Sequence, residues 1–351
     1  MKSYFRPEID AMTGYVPGEQ PKLQNLIKLN TNENPYPPSP KAAEFLQNFD
    51  YSKLRRYPNP MADDLRDAIA RRNGLDRENV VIGNGSDDVL TMIFRCFTDK
   101  ERPMAMLYPS YSLYAELAAM QNAQVIRIAL DPDTFELCEN LLEQAAPANL
   151  LMLTRPNAPT GNTFDYETVR SICCNFDGIV VIDEAYADFA PDNCMGLAKE
   201  LNNVIVMRTF SKSYALAGLR LGYAVGAKHL IDGLMKVKDS YNSDMLAQGL
   251  GLASYCDEEY FKARCREVAE EREKLSCALQ KIGFKVIPSA ANFLFAAPPD
   301  GDGKKCFDFL REHAIIVRYF PGEVTGKYVR ITIGTPQEDQ ILLETLKKLY
   351  C

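Results

Sequence analysis

The sequence is poor in the residues from which most simple catalytic and metal sites are built. It has two histidines, His229 and His313, in 351 residues. That excludes a histidine-rich metal site, and no metal is expected; Ser–His or Cys–His catalysis is left with few options. Its ten cysteines are scattered with no CxxC spacing, the only close pair being the adjacent Cys173 and Cys174. No stretch approaches the ~18 apolar residues of a membrane span, and the opening MKSYFRPEID is too polar for a signal peptide. The expectation is a cytoplasmic protein whose thiols are reduced and mostly buried as small hydrophobes. Positive charge is not in excess: 40 basic against 47 acidic residues leaves −7, so no nucleic acid or polyanion is expected as a partner. An anionic substrate would have to be held by local arginines. Internal repeats and low-complexity tracts are absent too.

What is present is an ordinary apolar fraction, 46%, over a length that favours about two domains. The most informative stretch is 209–222, TFSKSYALAGLRLG. It follows an apolar run at 204–207 short enough to be a buried strand. Lys212 stands among small residues, with Arg220 eight positions on. A lysine amine that condenses with an aldehyde needs small neighbours so that a flat ring can sit close. A guanidinium nearby suits a bound phosphate.

This stretch resembles the lysine signature of fold-type I pyridoxal-phosphate enzymes, in the form found in the histidinol-phosphate aminotransferase branch. The resemblance implies a large domain with a mainly parallel sheet flanked by helices, a smaller α/β domain, pyridoxal 5′-phosphate as cofactor and a homodimer. The boundaries expected are an arm over 1–28, a cofactor domain over 29–228 and a small domain over 229–351.

Along the chain, 1–28 is rich in turn formers and reads as an arm. Its Tyr15-Val16-Pro17-Gly18 matches the arm of that branch. The proline-rich 28–40 is irregular, and its Asn32-Glu33-Asn34-Pro35 is similar to the branch's substrate-side loop, which brings in Glu33 and Asn34. A helix is expected over 62–72, preceded by Tyr57. By resemblance, that tyrosine reaches the cofactor phosphate of the partner subunit. The strand at 80–82 runs into Gly83-Asn84-Gly85-Ser86-Asp87-Asp88 and a helix, a geometry that offers unpaired N–H groups to an anion. The backbone donors expected are those of Gly85, Ser86 and Asp87. Two carboxylates beside a phosphate would repel it, so both side chains are expected to turn away.

Further strands are expected at 104–107, 124–128, 149–153, 178–182 and 221–225. Tyr111, after the first of them, is implied as the aromatic that stacks on the pyridine ring. The turn 157–161 resembles the branch's Asn-Pro-Thr-Gly turn with one departure. Ala158 stands where an asparagine normally bonds the ring's phenolic oxygen, and Asn157 is the candidate to replace it. Asp183, at the end of an apolar strand, is implied opposite the pyridine nitrogen, where a carboxylate keeps that nitrogen protonated. Tyr186 is implied on the phenolic oxygen, and Ser211 and Arg220 on the phosphate. The charged C-terminal third is expected to hold a long helix over 257–282, strands at 284–287, 292–296, 314–319 and 327–334, and a closing helix. Arg330 is implied as the substrate-carboxylate ligand, and Arg318, with Tyr15, as the substrate-phosphate ligand.

The activity implied is transamination, L-histidinol phosphate plus 2-oxoglutarate giving imidazole-acetol phosphate plus L-glutamate. The partners are then small amino and oxo-acid substrates. Two readings of the same fold stand beside it, an aromatic amino acid aminotransferase and an L-threonine-O-3-phosphate decarboxylase. A cofactor-sensing regulator without turnover is disfavoured by the acidic balance.

Overall fold

The computed structural model describes residues 3–15, 18–22 and 24–351. Seven strands build the main sheet: β1 (Val80–Gly83), β2 (Met104–Tyr108), β3 (Val125–Ala129), β4 (Leu150–Thr154), β5 (Ile179–Asp183), β6 (Val204–Thr209) and β7 (Gly222–Gly226). Their order is β1-β7-β6-β5-β4-β2-β3, with β7 antiparallel to both neighbours and every other pairing parallel. The inner strands are aliphatic on both faces because helices cover both. Val81, Leu150, Met152, Ile205 and Met207 pack on one side with the helices Ser86–Phe97 and Lys228–Val237. Ile82, Leu151, Leu153, Val204 and Val206 pack on the other, with Asp63–Asn73, Tyr166–Asn175 and Met245–Tyr255. Edge strand β3 keeps Arg127 exposed, a charge that discourages further strand pairing.

A four-stranded antiparallel sheet follows: β8 (Lys285–Ile287), β9 (Phe293–Ala297), β10 (Arg318–Tyr319) and β11 (Val329–Thr332), in the order β10-β11-β9-β8. The helices Glu258–Lys281, Gly303–Glu312 and Pro336–Tyr350 cover it through Leu275, Leu279, Leu310, Leu342 and Leu346. Thr335 and Glu338 form a capping box before Pro336, which fixes where the closing helix starts.

Three features differ from the sequence expectation. The helices Lys228–Val237 and Met245–Tyr255 share the large sheet's cores through Leu230, Leu234, Ala247 and Tyr255, so the small sheet's own helices begin only at Glu258. The run 314–319 is two short strands. Ile315–Ile316 pairs in parallel with Ile27–Lys28, whereas Arg318–Tyr319 pairs with β11. The chain passes from one partner to another at Val317, which local periodicity cannot show. The end of the expected arm is therefore a strand, and Leu29 lies in the small sheet's core.

Candidate active site

In a parallel sheet all strands present their carboxyl ends at one edge, and ligand-binding loops gather there. Gly83, Tyr108, Thr154, Asp183 and Thr209 are the last residues of β1, β2, β4, β5 and β6. Because β7 runs the other way, its first residue, Gly222, reaches the same edge beside Gly83 and Thr209. This single reversal brings Arg220 to the loop that carries Lys212.

Lys212 lies just past β6, with Nζ 2.9 Å from the Thr31 carbonyl it donates to. Burial, with the like charge of Arg330 adding to it, pushes its ammonium down to about 8. Asn34 donates to the carbonyls of Lys212 and Ser213, at 3.0 and 3.3 Å. On the far side Ser213 Oγ donates to Asp188 Oδ2 at 2.5 Å. The peptide carrying the lysine is clamped from both directions.

Asp183 is 4% exposed. Its Oδ2 accepts from Tyr114 Oη at 2.6 Å and its Oδ1 from the Ala185 amide at 3.1 Å. No cation pairs with it among the described residues. Burial pushes its carboxyl up to about 6, against the lowering effect of the two donors. Tyr186, three residues on, accepts at Oη from Asn32 Nδ2 at 2.9 Å and sets its ring edge-on to Phe293. Lys212 Nζ stands 5.9 Å from the centre of that ring.

At the N-terminus of the Ser86–Phe97 helix the backbone turns through Gly85 at φ 89°. The Gly85 amide, expected among the anion donors, donates instead to the Gly83 carbonyl at 2.8 Å, a consequence of that tight turn. The amides of Ser86 and Asp87 have no acceptor among the described residues. Arg220, itself left-handed at φ 52°, places Nη1 3.3 Å from Ser211 Oγ and Nη2 3.1 Å from Asp87 Oδ2. The expectation that both acidic side chains turn away holds for one alone. Asp88 accepts from the Asn84 amide and from Asn242, each at 2.9 Å. Asp87 faces inward because Arg220 attracts it, and Tyr111 Oη lies 3.5 Å from its Oδ1. Tyr111 stands edge-on to Tyr15 and to Tyr114; Val16 and Pro17 of the arm motif lie outside the described residues.

Arg318 and Arg330 are register partners on β10 and β11. Arg330 donates from Nη2 to the Asn30 carbonyl at 2.9 Å, while its buried Nε has no partner among the described residues. Burial and the neighbouring Arg318 charge hold its guanidinium below the usual range. Glu33 accepts from Lys28 and, at 2.7 Å, from Thr31 Oγ1. Burial raises its carboxyl, but these bonds and the charges of Lys28 and Lys212 outweigh that and lower it.

One expected residue, Asn157, stands differently. Asn157 is fully buried, and both amide hydrogens are engaged inside the protein, by the Pro109 carbonyl at 3.0 Å and Thr160 Oγ1 at 2.7 Å. Its Oδ1 accepts from Ser110 at 2.9 Å, so its amide has no hydrogen left for a bound ring. Tyr57 is 79% exposed and stacks on Tyr241. Sequence reasoning also missed Tyr114 and Asn32. Tyr114 lies three residues past Tyr111, in the first turn of the Leu113–Met120 helix, and nothing local marks it as the donor to Asp183. Asn32 has φ 55° and long-range partners, which no local pattern announces.

The aminotransferase class I and II model matches residues 24–346. The chain belongs to the class I and II aminotransferases. Among similar curated aminotransferases, histidinol-phosphate aminotransferase 1 of Nostoc sp. is 40% identical over 350 residues, covering 99% of each chain. The histidinol-phosphate aminotransferase of Acetobacter pasteurianus is 41% identical over 355 residues, covering 100% of this chain and 99% of that one. Of solved structures, histidinol-phosphate aminotransferase from Sinorhizobium meliloti in complex with pyridoxal-5′-phosphate has TM-score 0.91 at 24% identity, covering 99% of both chains. L-threonine-O-3-phosphate decarboxylase from Porphyromonas gingivalis has TM-score 0.79 at 21%, covering 92% of this chain and 99% of that one. At these identities the structural likeness speaks to the fold.

The geometry of this aminotransferase fits pyridoxal phosphate on three counts. Asp183 is a buried carboxylate that has donors but lacks a cation, as a protonated ring nitrogen would supply. Lys212 is an amine with a lowered pKa. At the phosphate end, a Cβ on Gly222 would lie 2.4 Å from the Ser86 nitrogen, so only glycine lets β7 approach the open amides.

Proposed function

We propose that this chain exchanges an amino group between L-histidinol phosphate and 2-oxoglutarate in histidine biosynthesis, giving imidazole-acetol phosphate and L-glutamate. The observation that carries this reading is identity near 40% over essentially the whole chain to curated enzymes of that name, combined with a site that holds a lysine, an unpaired buried carboxylate and paired arginines. The amino donor of this reaction carries a phosphate, and the amino acceptor carries carboxylates. Two adjacent guanidiniums suit both, since each binds either anion in fork geometry. Arg330, with its open Nε, is assigned to the carboxylate, and Arg318, with Tyr15, to the phosphate.

Pyridoxal phosphate, when bound, supplies an aldehyde carbon for the amine and a ring that takes up the electron pair left at the substrate's Cα. Lys212 attaches it and then, once free, removes the proton from Cα, a task suited to an amine brought near neutral pH. Asp183 holds a proton on the ring nitrogen. Tyr186 donates to the ring oxygen, and Tyr111 covers the ring. Arg220, Ser211 and the amides of Ser86 and Asp87 bind the phosphate, Arg220 exchanging Asp87 for it. Glu33 and Asn34 line the substrate side, Asn34 by fixing the turn of Lys212.

The reading includes a homodimer in which Tyr57 reaches the neighbouring subunit's phosphate, a role that suits its exposed ring. It also includes a cytoplasmic location; no helix among the described residues is long and apolar enough to cross a membrane. Assaying histidinol phosphate, phenylalanine and O-phosphothreonine side by side tests the assignment. Amino transfer from the first at the highest kcat/KM is expected. Carbon dioxide release from the last, with no amino transfer, would overturn it.

A further inference from the structure

We infer that Asn32 is a positioning residue that aims the Tyr186 hydroxyl and ties the anion-binding strand to the lysine. Three consecutive residues each engage a different member of the site. The Asn30 carbonyl accepts from Arg330 Nη2, the Thr31 carbonyl accepts from Lys212 Nζ, and Asn32 Nδ2 donates to Tyr186 Oη, all at 2.9 Å. Asn32 is 1% exposed and left-handed at φ 55°, a conformation asparagine tolerates better than most residues. The small sheet holds it there. Its own amide donates to Thr332 Oγ1 at 3.0 Å, and Asn292 donates to its carbonyl at 3.1 Å. Thr332 Oγ1 returns its hydrogen to Asn32 Oδ1 at 3.1 Å, which leaves Nδ2 to face Tyr186. Thr332 is two residues from Arg330 on β11.

A phenol that accepts one hydrogen bond is a stronger donor of its own hydrogen. No acceptor among the described residues takes the Tyr186 hydrogen, so it is directed into the space shared with Lys212 and Asp183. The charged and titratable groups facing Tyr186 among the described residues include Arg330, Asp183, Tyr15, Tyr111 and Lys212. A donor strengthened in this way favours the anionic form of the oxygen it meets. Removing Asn32 weakens it.

The inference rests on the proposed cofactor, and its test separates the two. The visible band of the pyridoxal-phosphate-loaded protein is titrated with pH in the wild type, Asn32→Ala, Tyr186→Phe and the double variant. Asn32→Gly, which suits the left-handed backbone, serves if the alanine variant does not fold. Loss of Asn32 is expected to raise the midpoint by about half a pH unit or more, and Tyr186→Phe to raise it further. The double variant should titrate like Tyr186→Phe alone, because Asn32 then has nothing to act through. An unchanged midpoint with only a lowered melting temperature would overturn the inference, as would additive shifts in the double variant. A wild type that never develops the band would overturn the cofactor reading, and this inference with it.

Discussion

Asp183 is kept from water without being given a cation, an arrangement that costs stability unless something positive arrives. Its carboxyl is raised to about 6, so the folded chain binds this proton more tightly than the unfolded one. The contribution to stability is complete below the unfolded carboxyl's range and is lost as pH rises through 6. Asp183→Asn is therefore expected to leave the cofactor-free protein as stable as the wild type or more so near neutral pH, while lowering kcat by on the order of 10²–10⁴; melting curves and initial rates check the two halves. Asp339 makes the same argument away from the site. It is buried, with Oδ1 accepting from the Gly334 amide at 3.1 Å and Oδ2 unpartnered among the described residues, and burial lifts its carboxyl to about 7. Asp339→Asn keeps the accepted bond and removes the charge. It should stabilise by about 1–2 kcal/mol near pH 8 and change little near pH 5. Equal effects at both pH values would contradict this.

At the scale of elements, the site depends on how closely β7 lies against the Ser86–Phe97 helix. A Cβ at position 222 would also meet the Gly85 carbonyl carbon at 2.7 Å, and backbone on both sides cannot give way cheaply. Gly222→Ala is expected to weaken pyridoxal-phosphate binding at least ~10-fold and to destabilise by about 1–3 kcal/mol; a cofactor titration and a denaturant melt measure these. The strands of the main sheet were legible because each is a short aliphatic run closed by a turn, and Gly74, left-handed at φ 63°, ends its helix as the sequence suggests. The pairing of Ile27–Lys28 with Ile315–Ile316 was not, because neither two-residue strand has a period to detect. Lys212 and Asp183 could be named because their neighbours in sequence form a pattern. Asn32 and Tyr114 could not, since their partners lie 154 and 69 residues away. Asp87 was misjudged for a related reason: its orientation follows from Arg220, 133 residues on.

For the whole molecule, the exposed stack of Tyr57 on Tyr241 belongs at an interface if the homodimer reading is right. Sedimentation should then give twice the chain mass, and Tyr57→Ala should loosen the cofactor while leaving each chain folded; a monomer with full activity would contradict both. The 30–34 loop touches Arg330, Lys212 and Tyr186 at once, so the small sheet is tied to the lysine's surroundings. The most direct test of the account is the absorbance of the protein loaded with pyridoxal phosphate, followed as histidinol phosphate and then 2-oxoglutarate are added. A visible band that disappears into the ultraviolet with the first and returns with the second, and that Lys212→Ala no longer shows in its lysine-bound form, is the expected result. A spectrum indifferent to histidinol phosphate, or unchanged by loss of Lys212, would contradict it.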